Sequence, residues 1–446
     1  MFTRDSHRPS ANPHSLPTAI LSFCLLPCSA LAAEPAPPPT TPYDETIEKA
    51  FNPAGGKYGK FSLDLRWRYE YVDQDNVNAA GRVTTPDTAN ASTLRARFGY
   101  LTPQFSGLQA FAEFEGLQDV GANDYNDNPA GNGNGKTRFP VIADPAESEV
   151  NQLWVGYSGL PATQVKIGRQ RIVFDNHRFV GDVIWRQMQQ TYDAATVTST
   201  YIPRTSITAG YLIGIQDIYS RHVELDAPIL NASFDTGYGK LIGYGLWLDY
   251  KNPTESRNLT YSSKTYGVRF DGGTPVVDNL KALYTLEYAH QQNYESNPIQ
   301  YEADYWLADV GVNLYGVTLR GAMEELGASN GIGFSTPLAT LHAFQGWADL
   351  FLITPPNGIR DLYGVVKYTV LGIDLAAVYH DFSAPDTGLS YGHEIDLLAE
   401  KKFGKHYSVL LKFADYDGDR DANRPGHNIL DKADTQKFWL QGSVSF

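Results

Sequence analysis

Residues 61–71 read FSLDLRWRYEY. Every odd position is apolar or aromatic (Phe61, Leu63, Leu65, Trp67, Tyr69, Tyr71), and every even one is polar (Ser62, Asp64, Arg66, Arg68, Glu70). Period two over eleven residues without an exception describes a strand with two unlike faces. Such a strand is long for a soluble sheet but matches a strand tilted across a bilayer. Its polar face is too rich in ions to line a dry core. The apolar face is therefore the one turned to an apolar medium.

The pattern recurs. Leu94, Ala96, Phe98 and Tyr100 alternate with Arg95 and Arg97. Tyr266, Val268 and Phe270 alternate with Arg269 and Asp271; Ile395, Leu397 and Ala399 with Glu394, Asp396 and Glu400. Candidate strands fall near 61–72, 92–101, 107–117, 149–158, 163–172, 192–202, 205–216, 228–236 and 239–251. They continue at 264–272, 279–291, 304–315, 316–325, 359–370, 371–382, 392–403, 404–416 and 434–446. Short links such as Pro203-Arg204 alternate with long ones, at 73–91, 118–148, 173–191, 252–263, 292–303, 326–358 and 417–433. The expected fold is all-β: an antiparallel transmembrane barrel of about 18 strands, with short periplasmic turns and long extracellular loops. No blade-length repeat supports a propeller. Outside the first 33 residues no apolar run approaches the ~20 residues of a membrane helix.

The first 33 residues read as a secretory signal. Arg4 and Arg8 precede the apolar stretch 16–31, and Ala30-Leu31-Ala32 supplies the small-residue cleavage pattern. Both cysteines, Cys24 and Cys28, lie inside it, so the mature chain has no thiol for disulfides, catalysis or metal. Residues 34–60, Pro-rich and then Gly-rich, read as a flexible lead-in, and 61–446 as the barrel. Phe438, Leu440, Val444 and Phe446 share one face of the last strand. A terminal aromatic there resembles the signal read by the outer-membrane barrel assembly machinery.

Charge narrows the partners. With 36 Lys+Arg against 50 Asp+Glu, the formal charge is −14, which disfavours nucleic acid. The lumen face still carries Arg66, Arg68, Arg95, Arg97, Arg269 and Arg320. These either draw an anionic solute inward or pair with carboxylates such as Asp64, Glu70, Glu287 and Asp361. The stretch 166–193 adds Arg169, Arg171, Arg178 and Arg186 among Asp175, Asn176, His177, Asp182 and Asp193. Strict alternation turns Arg169 and Arg171 toward lipid. Either the strand nears its rim there, or a bulge at Gly168 reverses the parity. Four arginines with Phe174 and Trp185 favour a loop folded inward. Loop 326–358 is too apolar for a solvated tip, so it too is expected to fold into the lumen or over its mouth. An extra strand pair at 338–353 is the other reading. Asp415, Asp417, Asp419 and Asp421 form a weak calcium candidate, because Gly418 stands at the fourth position and no Glu closes the loop. No nucleophile elbow, zinc helix or phosphate loop is present, so neither an enzyme nor a cofactor is expected.

The segments 168–194 and 334–363 resemble signatures of the bacterial alginate export family of outer-membrane barrels. That resemblance implies an Arg-rich constriction that passes polyuronate. It implies that Arg169, Arg171, Asp175, Asn176, Arg178 and Arg186 belong to the functional region, with Asp193 opening the next strand. It implies that Thr336, Pro337, His342, Gln345, Trp347 and Asp349 form an inserted loop element rather than a barrel strand. The expected function is a passive channel for an anionic polysaccharide or oligosaccharide, in the outer membrane of a Gram-negative bacterium, acting as a monomer in contact with lipid. A general uptake porin and a plugged structural or adhesive barrel are the alternatives.

Overall fold

The computed structural model describes residues 42–77, 83–84, 86–128, 133–251, 259–419 and 432–446. The expected signal segment lies outside these residues. Eighteen antiparallel strands form the wall. They are β1 (Lys60–Val77), β2 (Ala89–Leu101), β3 (Leu108–Asp124), β4 (Ser148–Leu160), β5 (Thr163–Gln170) and β6 (Thr191–Ser199). Then come β7 (Thr205–Gln216), β8 (His222–Asp235), β9 (Gly239–Tyr250), β10 (Ser263–Val277), β11 (Leu280–Asn293) and β12 (Glu302–Leu314). The last six are β13 (Val317–Leu326), β14 (Ile359–Val370), β15 (Ile373–Ser383), β16 (Ser390–Phe403), β17 (Tyr407–Gly418) and β18 (Lys432–Ser445). Each strand pairs with its successor, and β1 pairs with β18 from Asp64↔Ser445 to Asn76↔Lys432, which closes the ring. Closure removes both sheet edges, so every wall amide has a partner inside hydrocarbon.

The faces fall as the alternation requires. On β1 Arg66, Arg68 and Glu70 are buried, while Phe61 lies exposed on the other face. Leu94, Phe98, Tyr266, Val268, Leu286, Ile395 and Leu397 are exposed outward, and Arg95, Arg97, Arg269, Glu287, Glu394 and Asp396 are buried inward. No helix among the described residues is long and apolar enough to cross a membrane.

Three departures from the sequence expectation have local causes. Strands β1, β3 and β10 run beyond the expected ends, to Val77, Asp124 and Val277. On β1, beyond the lipid band, Asp73 and Asp75 continue the outward face, so hydrogen bonding continues after the apolar alternation stops. Loop 118–148, expected as one of the long links, keeps Tyr125, Phe139 and Ile142 buried against Val72, Ala89 and Ala91. Part of the expected flexible lead-in is a helix, α1 (Pro42–Phe51). Asp44 accepts from the Tyr407 hydroxyl at 2.8 Å, Glu48 lies 2.8 Å from His406 Nε2, and Phe51 packs on Phe446. Residues outside the helix thus hold it to the periplasmic end of the wall.

Gly168 lies in β5 with φ +121°, where a Cβ would stand 2.3 Å from the Leu153 carbonyl oxygen. Gly168→Ala is expected to lower stability by about 1–3 kcal/mol, read as a shift in the urea midpoint of the refolded barrel. An unchanged midpoint would refute the strain.

Candidate functional site

Two loops enter the lumen from the extracellular end and meet inside it. The first covers residues 171–190 and follows β5. Its segment 184–187 is held by β1, β2 and Asp144. Arg66 donates through Nε to Gln187 Oε1 at 2.8 Å, through Nη1 to the Ile184 carbonyl at 3.0 Å, and through Nη2 to the Arg186 carbonyl. Gln187 in turn donates to Thr93 Oγ1 at 2.8 Å, and its backbone N–H to Asp144 Oδ1 at 2.9 Å. Arg186 pairs with Glu70 at 2.7 Å. The Arg68 guanidinium lies 4.2 Å from the Trp185 ring centre and 3.9 Å from Asp144. Arg95 pairs with Asp64 and Arg97 with Glu115.

The second loop, residues 327–358, lies against the adjoining wall of β16–β18, which meets β1 at the ring closure. No barrel strand forms within it, so the alternative of an added strand pair is excluded. Inward carboxylates hold its turn: Trp347 N–H donates to Asp396 Oδ2 at 3.2 Å and Ala348 N–H to Glu394 Oε1 at 2.7 Å. Asp349 pairs with Lys437 at 3.0 Å and with His342 Nδ1 at 2.7 Å. Lys412 donates to His342 Nε2 at 2.6 Å. The same ammonium lies 3.6 Å from the Trp347 ring centre, 4.2 Å from Trp185 and 5.6 Å from Trp439. A cation among indole faces is attracted by their quadrupoles, and more so when desolvated.

The loops join edge to edge. Gly181 N–H donates to the Leu338 carbonyl at 2.8 Å, and Thr340 N–H to the His177 carbonyl at 3.0 Å. Trp185 stacks on His342 with centroids 4.3 Å apart. Arg178, in the first loop, pairs with Glu324 of β13 at 2.8 Å and donates to Gln345 Oε1 at 3.1 Å and Thr336 Oγ1 at 3.4 Å in the second. A cavity of about 50 Å³, room for a few waters, remains beside Phe344, Trp347, Tyr363, His380 and Lys412.

Two loop groups have displaced acid strengths. Burial, and then the neighbouring Lys412, push the His342 imidazole well below its usual value. Against the upward push of burial, His342 and Lys437 hold Asp349 well below the usual carboxylate range. The His342 shift agrees with a neutral imidazole that donates from Nδ1 to Asp349 and accepts at Nε2 from Lys412.

The expected site residues divide between lumen and rim. Arg66, Arg68, Arg95, Arg97, Arg178, Arg186, Asn176, Thr336, His342, Gln345 and Trp347 are buried in the lumen, with Pro337 and Asp349 beside them. Asp175 faces lumen water and accepts from Asn231 at 2.7 Å. Arg171 turns in to Asp182, at 2.9 Å. Arg269 pairs with Glu287 at 2.6 Å and Arg320 with Asp309 at 2.8 Å, both on the wall. Arg169 and Asp193 do not join the constriction. They form a two-pronged pair, at 2.9 and 3.0 Å, on the outward face at the extracellular rim. Gly168 leaves the parity intact: Ile167 stays outward, 60% exposed, and Arg169 follows on the same face. The calcium candidate is not assembled. Asp415 and Asp417 lie along β17, where alternate residues are ~7 Å apart, and Asp417 is exposed. Asp421 lies outside the described residues, and no metal-holding group of three occurs among those described.

Sequence reasoning missed Asp144, Glu394, Lys437 and Trp439 as anchors. The partners of these anchors in the folded-in loops lie from 43 positions away, for Asp144 and Gln187, to 254, for Trp439 and Trp185. Inward parity was the available signal for Glu394, Lys437 and Trp439, and none existed for Asp144.

A family model described as "Alginate export" matches residues 57–291, more than half of the chain. No curated protein matches it. Among solved structures, Pseudomonas aeruginosa OccK9 (OpdG) superposes with a TM-score of 0.65 at 13% identity, covering 87% of this chain and 98% of its own. Pseudomonas aeruginosa OpdK with vanillate gives 0.63 at 13%, covering 86% and 98%. Acinetobacter baumannii OccAB2 gives 0.66 at 14%, covering 88% and 99%. At such identity these neighbours speak for the barrel fold alone.

Proposed function

The chain belongs to the alginate export family, and from that premise we propose that it passes an anionic polysaccharide or oligosaccharide, alginate being the type. It is an outer-membrane barrel of a Gram-negative bacterium and a channel. One observation supports the anionic solute. Arg66 and Arg95 stand directly opposite each other on β1 and β2. Like charges in that position are unfavourable on their own. Arg66 donates three hydrogen bonds to oxygens of the 171–190 loop, which occupies the place a uronate carboxylate would take. The inward cations named above, from Arg66 to Arg320, would then draw the solute, and the 327–358 loop would narrow its path. We assign the final strand, ending at Phe446, to recognition by the barrel assembly machinery, and a single chain to the pore.

A general porin is the second reading, favoured by the pairs Arg97–Glu115, Arg269–Glu287 and Arg320–Asp309, which neutralise much of the wall. Single-channel recording in a KCl gradient separates the two. The first reading expects anion selectivity and current blocked by an oligouronate. Arg66→Glu with Arg95→Glu should then reverse the selectivity and abolish block. Unselective current without block in the unsubstituted protein would leave the general porin.

A further inference from the structure

Residues 335–353 form a tongue whose two ends meet at its stem. Thr354 Oγ1 donates to the Phe334 carbonyl at 2.7 Å, so the segment leaves and re-enters the loop base at one point. Inside the lumen its polar contacts are Glu394 and Asp396 on its backbone, Lys437 on Asp349, Lys412 on His342, and the hydrogen bonds across to the 171–190 loop, beside an apolar flank where Phe351 packs against Phe382, Tyr391 and Tyr416. We propose that this tongue is a gate that leaves the lumen as one piece, and that the Lys412–His342 contact is its acid-sensitive latch. The proposal rests on the channel reading above.

The argument is one of proton placement. Lys412 can donate to His342 only while Nε2 is unprotonated, and Asp349 already takes the proton of Nδ1. A second proton would put two cations 2.6 Å apart between indole rings. The groups facing the imidazole offer little relief. Its own loop presents Asp349 and Trp347. The 171–190 loop presents Trp185 and, farther off, Arg186. Strand β17 presents Lys412, and β18 presents Trp439 and, through Asp349, Lys437. Across the cavity that His342 lines stand Glu324 of β13, Asp361 and Lys367 of β14 and His380 of β15, while Glu394 and Asp396 of β16 are engaged by the next turn of the tongue. Repulsion and desolvation therefore oppose protonation in the closed state. With the tongue in water the same imidazole titrates near its ordinary value, about 6.5. The open state thus binds more protons over the interval below that value. Each pH unit there favours opening about tenfold at most, until the closed-state value is reached. Working between pH 6.5 and 5 keeps clear of ordinary aspartates, whose release comes lower.

Four forms of the mature chain would be recorded in planar bilayers in KCl, from pH 7.5 to 5. In the unsubstituted protein, open probability is expected to rise about fivefold over the first pH unit below 6.5. His342→Gln accepts from Lys412 but cannot charge, and should show no rise. A Gly181→Cys, Thr340→Cys pair crosses the loop junction, where a Cβ on Gly181 would lie 2.4 Å from Thr340 Oγ1. Oxidised, it should hold current low at every pH; reductant should restore the rise. Excision of 335–353 with a short glycine link should conduct at every pH, since the stem already brings the ends together. A flat wild-type response beside a conducting excised barrel overturns the latch and leaves the channel reading intact. An acid rise unchanged in His342→Gln does the same. An excised barrel that carries no current overturns the channel reading itself.

Discussion

Glu324→Ala is expected to cost about 3–5 kcal/mol, the usual effect of stranding a buried charge. Its partner Arg178 is 1% exposed and pairs with Glu324 at 2.8 Å. Gln345, Thr336 and the rings of Phe344 and Tyr305, at 4.6 and 5.6 Å, are neutral, and the nearby Glu287 carboxylate is already paired with Arg269. None can replace the carboxylate, and Gln345 loses its own acceptor as well, since its Nε2 donates to Glu324 Oε2. The eighteen-strand wall does not depend on this pair, so the penalty should appear as release of the two loops rather than loss of the barrel. Limited trypsin digestion would read it: cleavage at Arg171, Arg178 and Arg186 should become fast while the barrel keeps its heat-resistant migration. Glu324→Gln, which retains an acceptor, should fall between. Slow cleavage in Glu324→Ala would show that the loops are held elsewhere.

Val366→Lys should cost about 2–4 kcal/mol, the penalty of a cation near the bilayer midplane. Val366 is 47% exposed on the outer face of β14, while its chain neighbour Lys367 already bears a charge on the lumen side, lining the cavity. The mirror change, Lys367→Val, should cost under about 1 kcal/mol, as it leaves lipid contact untouched. The pair measures orientation directly through urea unfolding in lipid vesicles. Equal costs at the two positions would contradict the assigned faces.

Why the wall was legible and the plug only partly so follows from the range of the signals. Asp64, Arg66 and Arg68 declare their face through residues one position away, because a strand's side chains alternate. Each of the eighteen expected strands overlaps a wall strand. Loop 327–358 was legible for a related reason: Phe334, Leu338, Trp347 and Phe351 are too apolar to stay in water, and all are buried. Where those residues would land was not. Lys412 meets Trp185 across 227 positions of sequence, and no local pattern couples them. Arg169 failed in the opposite sense. Alternation had it outward, and only an assumed bulge at Gly168 allowed the inward option. The rim pairing with Asp193 relieves the charge that made the outward position look costly.

Helix α1 touches His406, Tyr407 and Phe446, more than 350 positions downstream of it. In an open chain, closing so long a loop for a few contacts would be entropically unfavourable. Once β1 and β18 have zipped, the helix hangs only a few residues from its dock, and the effective concentration of the two surfaces rises toward the millimolar range of a short tether. Weak contacts then suffice to keep α1 seated. Its seating reports that the ring is complete, so a fluorophore pair on Glu48 and Lys405 would time the last step of assembly rather than the first.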